Sequence, residues 1–460
     1  MKKKAFPTAL MSSRLAIELQ RFMKGLFLSK YFAFFLFGLT SLPVRAEAPL
    51  LDFWKEATPQ ELPFAEEWLV EKEEGGLTWK EFYFTSQMVD GTPYRIYAIY
   101  AAPTGRSGLP AVLHIHGAGD SADPATVRWW AEHGYAALSF DWMANPGGRK
   151  PPGARYSNLG GDTELEPKQF LFAIPPERSR IHISLIAARR ALSWLSERPE
   201  IDRTRIGVEG VSWGGFQSLI LAAIDPRVKA TVDVYGMGFF QGTNLNGGCF
   251  GLTGPLQSFP KEQQQDWLTH FDPQNYLERI KTPVFLATGT NDMFFWFPLI
   301  EKTFTALPGE KALWVEPNVN HSLHFPDRPR LLTQAAGWFN RELLGQGPPP
   351  PVLNLEEVSP SRVGFHVKTE PDRIATARIN YLWLDKEPVG GSIGVYWNKT
   401  SKWEAVPASA EGVAKETWSA PLSQPPVEAQ YVTCYATVET TEGLIFSSVA
   451  QTVPLSEKKN

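Results

Sequence analysis

The chain is 460 residues long, which predicts two or three domains and a large buried core. Its 45 basic and 49 acidic side chains leave a net charge of −4, which supplies no long-range field to hold nucleic acid or an anionic membrane. The sequence contains only Cys249 and Cys434, which excludes a disulfide framework, a zinc ribbon and an iron–sulfur cluster.

The first feature along the chain is an apolar run at residues 31–42, which is shorter than the roughly 20 residues that cross a bilayer. Lys24 precedes this run, and residues 44–46 place small side chains at the two recognition positions of a signal-peptidase site. We therefore predict that residues 1–46 are a signal peptide, with Met23 as an alternative start. The mature protein is then periplasmic or extracellular in a bacterium, without stable membrane insertion, and the alternative is an uncleaved anchor.

The sequence pattern of residues 47–344 predicts an α/β domain. Helical spacing of apolar residues appears at 181–195 and 330–344, and alternation at 79–85 and 95–101 predicts a hairpin at a sheet edge. Short, nearly continuous apolar runs alternate with helical patterns, which predicts a mostly parallel sheet covered by helices on both faces. These runs lie at 110–116, 135–140, 206–210, 228–235, 283–289 and 312–316.

A Pro/Gly-rich stretch, residues 345–353, predicts a stiff linker because it cannot continue a helix. Beyond it, residues 354–454 contain strand patterns and no convincing helix, which predicts an immunoglobulin- or fibronectin-like β-sandwich. Its four tryptophans either fill the sandwich core or bind a glycan. The predicted strands are 363–367, 377–383, 392–397, 429–438 and 444–449.

The strongest chemical signal is the Gly-Val-Ser-Trp-Gly sequence at residues 210–214. It follows a strand pattern and precedes a helical run at 216–224, the context in which Gly-x-Ser-x-Gly forms a nucleophile turn. Ser212 is the predicted nucleophile. The alternative is an ordinary glycine-rich turn.

A serine hydroxyl needs a general base and an acid that orients the base, and in this arrangement the chain order is Ser, acid, His. Asp292 follows the strand pattern at 283–289 and is the predicted acid, the alternative being an Asp that caps the next helix. His321 and His324 follow the strand pattern at 312–316. We favour His321 as base, because it comes first in the loop.

The tetrahedral intermediate needs two N–H donors for its oxyanion. One predicted donor is the backbone N–H of Trp213, directly after the nucleophile. The other comes from the His-Gly-Ala-Gly turn at 116–119, with Ala118 as first choice and Gly117 as alternative.

His114, His116 and Asp120 also permit a metal interpretation, since alternate residues of a strand share a face. Ser121 follows, and no further histidine cluster completes a tetrahedral site. We therefore predict no metal and no organic cofactor.

Three phrases carry a resemblance to the α/β-hydrolase superfamily, at residues 114–142, 199–212 and 287–292. They resemble bacterial acetyl xylan esterases, dienelactone-hydrolase-like enzymes and the catalytic domain of prolyl oligopeptidases. The resemblance implies Ser212 as nucleophile, Asp292 as acid and His321 as base. Acetyl xylan and cephalosporin deacetylases usually carry Gln after the serine, where this chain has Trp213.

The resulting hypothesis is an exported serine hydrolase that cleaves carboxylic esters, with an acylated carbohydrate of acetyl xylan type as substrate. The first alternative is a prolyl-oligopeptidase-like peptidase or another acyl hydrolase. Peptidases of that kind carry a β-propeller before the core, and the stretch between residues 47 and 110 is too short for one. The alternative of another class is a non-catalytic binding protein on the same fold.

The walls of the substrate site are predicted in two insertions, residues 141–180 and 236–271. Trp142, Trp296 and His324 are the predicted substrate-contacting residues. For the tryptophans, the alternative to stacking on a sugar is packing beneath the loops.

Overall fold

The computed structural model describes residues 47–57, 61–144, 155–159, 179–240, 259–323, 328–388, 401–412 and 415–455. The chain divides into two compact units, Met1–Phe53 and Trp54–Asn460. The predicted signal peptide lies outside the described residues, and the first described element is helix α1 (Glu47–Ala57). Within the described ranges, no helix has the length and apolar character needed to cross a membrane.

A nine-stranded sheet forms the centre of the larger unit, as far as the described residues show. The strand order is β1-β2-β3-β5-β4-β6-β7-β8-β9. Every pairing from β5 through β4 to β9 is parallel, and the pairings of β1, β2 and β3 are antiparallel. The strands are β1 (Glu67–Glu74), β2 (Leu77–Val89), β3 (Thr92–Pro103), β4 (Leu109–Ile115), β5 (Ala136–Phe140), β6 (Ile201–Val211), β7 (Val228–Val234), β8 (Val284–Gly289) and β9 (Lys311–Glu316).

Helices cover both faces of this sheet. On one face Trp130 of α2 lies 5.5 Å from Phe339 of α7 between ring centroids, and on the other Ser184 of α3 hydrogen-bonds Gln217 of α4. The helices are α2 (Pro124–Glu132), α3 (Arg180–Ser196), α4 (Trp213–Ile224), α5 (Lys261–Phe271), α6 (Phe297–Ala306) and α7 (Arg328–Leu344). The predicted α/β-hydrolase fold is therefore confirmed.

Local chemistry explains where these helices begin. Asp123 caps α2 by accepting hydrogen bonds from the N–H groups of Ala125 and Thr126, and Pro124 occupies the first turn, where a missing N–H costs nothing. Ser179 caps α3 in the same way through the N–H of His182. All residues of β4 and β8 are buried, as expected for central strands covered on both faces.

The C-terminal region forms two antiparallel sheets, consistent with the predicted sandwich. One has the order β10-β11-β15-β14, and the other has the order β13-β12-β16-β17 with β18 paired to β16. The strands are β10 (Val352–Val358), β11 (Arg362–Lys368), β12 (Ile374–Leu384), β13 (Glu404–Pro407), β14 (Ser409–Glu411), β15 (Thr417–Pro421), β16 (Tyr431–Thr440), β17 (Ile445–Ser447) and β18 (Gln451–Pro454).

Two differences from the predicted elements have simple causes. Strand β10 begins at Val352, inside the predicted linker, because Leu353 is buried and pairs with Val367 immediately after the proline run. Strand β1 was not predicted, because its residues are mostly exposed and charged. The predicted strand at 392–397 lies outside the described residues.

The sandwich packs against the last strand and helix of the hydrolase region. Val315 of β9 donates its N–H to the hydroxyl oxygen of Ser447, at 3.1 Å. On α7, the side-chain amide of Gln334 donates to the carbonyl of Gly443 and accepts from the N–H of Ile445, both at 2.8 Å. These contacts join the two regions into the single compact unit that begins at Trp54.

Candidate active site

Ser212 lies in a tight turn between β6 and α4. Its backbone has φ 60° and ψ −121°, a region that residues with a side chain rarely adopt and that costs about 1–3 kcal/mol. The surrounding backbone holds this conformation: Ser212 N–H donates to the carbonyl of Val234 at 2.8 Å, and its carbonyl accepts from Phe216 N–H at 3.0 Å. The turn therefore keeps the hydroxyl at the carboxyl edge of the sheet.

The glycines flanking the serine are required by close approach of the backbone. A Cβ on Gly210 would lie 2.1 Å from the carbonyl oxygen of Gly214, and a Cβ on Gly214 would lie 2.0 Å from that of Ile115. Both obstacles are backbone atoms, which cannot move aside as a flexible side chain can. The turn can therefore form only if residues 210 and 214 have no side chain.

Replacing Gly214 with alanine will destabilise the protein by about 3 kcal/mol or more, because the new methyl group overlaps the carbonyl of Ile115. Alanine has a higher helix propensity than glycine by about 1 kcal/mol, which offsets only part of this loss of stability. Urea unfolding measures the change.

The matched control is Gly134→Ala, since Gly134 has φ +88° but nothing within 4 Å of the added Cβ. That variant should lose only about 1–2 kcal/mol, the cost of a left-handed alanine. Equal stability of the two variants would show that close approach at Gly214 is unimportant.

The predicted acid, Asp292, is fully buried in the loop after β8. Its Oδ1 accepts the N–H groups of Phe294 at 2.8 Å and Phe295 at 3.0 Å. Its Oδ2 lies 2.7 Å from Nδ1 of His321. The two backbone donors fix the carboxylate, so one oxygen remains directed at the imidazole.

His321, in the loop after β9, connects the acid and the serine. Its Nε2 lies 2.9 Å from the Oγ of Ser212 while Nδ1 faces Asp292. With Nδ1–H donating to the carboxylate, Nε2 is left as the acceptor for the serine hydroxyl. The structure thus brings together the three side chains that the sequence predicts as the catalytic triad.

Asn320 joins the two loops and was not identified from the sequence. Its Oδ1 accepts the N–H of His321 at 2.7 Å and the N–H of Met293 at 3.0 Å. The side chain of Asn320 therefore fixes both Met293, which follows the acid, and His321, the base. The sequence signal that could have identified Asn320 was its position directly before the predicted base, in the same loop.

Aromatic rings enclose the imidazole. The ring centroid of Tyr235 lies 4.3 Å from that of His321, and those of Phe294 and Phe295 lie at 5.0 and 5.8 Å. Tyr235 also accepts the N–H of Leu323 through its hydroxyl oxygen. These contacts restrict the ring to the orientation that faces both Ser212 and Asp292.

A second buried carboxyl lies beneath the turn. Asp233, at the end of β7, accepts the N–H of Gly236 at 2.7 Å and touches the position that a Cβ on Gly215 would fill. Burial raises the pKa of Asp233 to about 7. It contacts the backbone around the turn and none of the three triad side chains in the described contacts.

The turn at residues 116–119 lies directly against the nucleophile. A Cβ on Gly117 would be 3.3 Å from the Cβ of Ser212. Trp213 is the first residue of α4, where helix N–H groups point away from the helix body toward the turn. Both predicted sources of oxyanion donors are thus next to Ser212, and the choice between Ala118 and Gly117 stays a prediction.

The predicted substrate-contacting tryptophans are buried. Trp142 is 1% exposed; its indole N–H donates to the carbonyl of His116 at 2.8 Å and its ring stacks on the imidazole of that residue. Trp296 is 5% exposed and precedes α6. This burial favours the packing interpretation for both. His324 lies outside the described residues, as does much of the two predicted insertions.

His114 of β4 and His116, the residue after this strand, lie close to polar groups. Nδ1 of His116 lies 2.7 Å from the carbonyl of Gly117, and His114 lies 3.6 Å from Glu209 and 3.9 Å from Asp123. Within the described part of the chain, no three His, Cys, Asp or Glu side chains converge as metal ligands would.

A serine in a strand–helix turn, hydrogen-bonded to a histidine that contacts an aspartate, with both after later strands of a mostly parallel sheet, is the arrangement of the α/β hydrolases. Residues 96–337, more than half of the 460-residue chain, match the Dienelactone hydrolase family. The chain therefore belongs to the dienelactone hydrolase family.

Acetyl esterase Axe7A of Xylanibacter ruminicola is 31% identical over 211 residues, which are 43% of this chain and 46% of that protein. The chain thus spans less than half the length of this curated relative.

Two solved structures share the fold. The acetyl xylan esterase from Paenibacillus sp. R4 has a TM-score of 0.51 at 22% identity, covering 62% of this chain and 93% of that one. Acetyl xylan esterase 1 from Thermoanaerobacterium sp. JW/SL YS485 has a TM-score of 0.50 at 20% identity, covering 64% and 93% respectively.

Proposed function

We propose that this protein is an exported serine hydrolase that removes acyl groups, acetyl in particular, from esterified carbohydrate. The observation that carries the proposal is the continuous chain of hydrogen bonds from Asp292 through His321 to Ser212, at 2.7 and 2.9 Å. The names of the relatives, an acetyl esterase and two acetyl xylan esterases, support the choice of acyl group and alcohol.

In the proposed reaction, the Oγ of Ser212 attacks the ester carbonyl carbon while Nε2 of His321 takes the hydroxyl proton. Asp292 stays ionised and stabilises the imidazolium. The N–H of Trp213, with that of Ala118 or Gly117, holds the oxyanion. His321 then gives its proton to the departing alcohol, which leaves an acyl group on the serine.

Deacylation repeats these steps with water as the nucleophile. His321 takes a proton from the water, the acyl–serine bond breaks, and the proton returns to the Oγ of Ser212. The products are the carboxylic acid and the deacylated sugar. The residues of this chain suffice for the cycle, so the proposal includes no metal and no organic cofactor.

A pocket with both polar and apolar lining residues lies next to the nucleophile turn. It borders Gly117 and Val211, and so lies beside Ser212. Its other lining residues include the hydrogen-bonding side chains of Asp120, Ser121 and Arg328. Leu331 and Leu332 also line the pocket, so it offers a ligand both hydrogen-bonding and apolar contacts.

Export and the domain limits are part of the same proposal. Residues 1–46 are the proposed signal peptide, residues 47–344 the catalytic region and residues 354–454 an accessory sandwich, separated by the linker 345–353. The support for the signal peptide is its sequence: a basic start, a short apolar run and a small-x-small site before residue 47.

The test compares an acetyl ester with an amide in one assay series. We expect kcat/KM for 4-nitrophenyl acetate to exceed that for glycyl-prolyl-4-nitroanilide by at least about 10²-fold, with acetate released from acetylated xylan. Faster hydrolysis of the anilide would establish a peptidase instead. Absence of all hydrolysis, with no labelling of Ser212 by a fluorophosphonate, would establish a binding protein.

A further inference from the structure

A short segment of the sandwich, residues 401–403, is hydrogen-bonded to both catalytic loops. The carbonyl of Ser401 accepts from the side-chain amide of Asn291 at 2.6 Å. The carbonyl of Trp403 accepts from the amide of Asn318 at 2.7 Å, and the N–H of Trp403 donates to Oδ1 of the same asparagine at 2.7 Å. Three hydrogen bonds thus join this segment to the edge of the site.

The two asparagines flank the acid and the base. Asn291 directly precedes Asp292, and Asn318 lies three residues before His321 in the loop after β9. Asn318 has φ 60°, a left-handed conformation that asparagine tolerates, and its N–H donates to the hydroxyl of Thr290 at 2.8 Å. The loops are therefore joined to each other as well as to the sandwich.

Trp403 gives the segment a fixed position. It is 4% exposed, and its ring centroid lies 5.3 Å from that of Tyr435 in β16 and 6.1 Å from that of Phe297 in α6. Tyr435 belongs to the sandwich core, whereas Phe297 begins the helix that follows the acid loop. The tryptophan is thus held between the two regions.

We propose that the C-terminal sandwich is a working part of the active site, and that residues 401–403 hold the acid and base loops in register with Ser212. This inference rests on the proposed serine-hydrolase function. Asn291 and Asn318 are positioning residues, since they act through the loops and do not touch the reacting atoms. Displacing a catalytic group by about 1 Å can lower the rate by about 10²-fold, so holding the two loops in place preserves the rate.

The chain contains a matched control for this idea. Gln334 on α7 makes the same pair of contacts to the sandwich, donating to Gly443 and accepting from Ile445, but it lies on a helix and not in a catalytic loop. Asn318 and Gln334 therefore each contribute two amide hydrogen bonds between the regions, and only Asn318 is close in sequence to the base.

The experiment compares Asn318→Gly with Gln334→Ala in the full-length protein. Glycine accepts the left-handed conformation at residue 318, so the variant loses the side-chain contacts without backbone strain. We expect kcat for 4-nitrophenyl acetate to fall about 10- to 100-fold in Asn318→Gly with KM changed less than about 3-fold, and to stay within about 2-fold in Gln334→Ala. Both variants should lose a similar few degrees of melting temperature.

Unchanged kcat in Asn318→Gly would overturn the inference, and so would an equal loss of kcat in both variants, which would indicate a general effect of weakened docking. The rate of Ser212 labelling by a fluorophosphonate should fall in parallel with kcat in Asn318→Gly alone. Failure of the proposed function is distinguishable, because wild-type protein would then neither hydrolyse the ester nor be labelled.

Discussion

Replacing Ser212 with alanine is expected to reduce kcat for 4-nitrophenyl acetate by at least about 10⁴-fold, because the covalent route is lost and only oxyanion stabilisation and binding remain. The Oγ of Ser212 lies 2.9 Å from Nε2 of His321, and alanine removes only this atom. The turn geometry is set by the backbone bonds to Val234 and Phe216, which alanine keeps. Initial-rate kinetics on the purified variant measure the effect.

The control for this prediction is that the alanine variant keeps the fold of the wild type. The melting temperature should change by only a few degrees, and a fluorophosphonate should label the wild type at Ser212 and leave the alanine variant unlabelled. If the variant retains substantial esterase activity, Ser212 is not the nucleophile and the assignment of the entire site is wrong.

Replacing His321 with alanine should lower kcat by a comparable factor, about 10⁴- to 10⁶-fold, since the serine loses its general base and the departing alcohol its acid. His321 is the residue that contacts both Ser212 and Asp292. The same ester assay measures the loss.

His324→Ala is the matched control, because both histidines belong to one short segment after β9. We expect that variant to keep kcat within about 10-fold of wild type, as for a residue outside the triad. Inactivity of His324→Ala together with an active His321→Ala would assign the base to His324 instead.

The triad could be predicted because its signals are local. Gly210 and Gly214 mark the strand–turn–helix around Ser212, and the acid and base each follow an apolar strand in the order that the fold requires. The parallel sheet was predictable for the same reason: buried strands such as β4 and β8 are nearly continuous apolar runs. These patterns depend on short stretches of sequence.

The supporting contacts could not be predicted, because they join distant segments. Asn318 and Trp403 are 85 residues apart, and neither carries a periodic or spacing signal. Trp142 follows β5 at the carboxyl edge of the parallel strands, which suggested stacking on a sugar, but its indole N–H donates to the carbonyl of His116. The position of a residue in the sequence predicts that it lies at the carboxyl edge of the sheet, but not the direction of its side chain.

The contact between Ser447 and Val315 lies at one edge of the nine-stranded sheet. Strand β9 is the last strand of the nine-stranded sheet, and an apolar edge strand with unsatisfied backbone groups can pair with a strand from another molecule. Three of its residues, Leu313, Trp314 and Val315, are each at most 1% exposed, and the hydroxyl of Ser447 accepts the N–H of Val315. The sandwich thereby covers part of this edge, which leaves fewer backbone groups of β9 open to pairing with another strand.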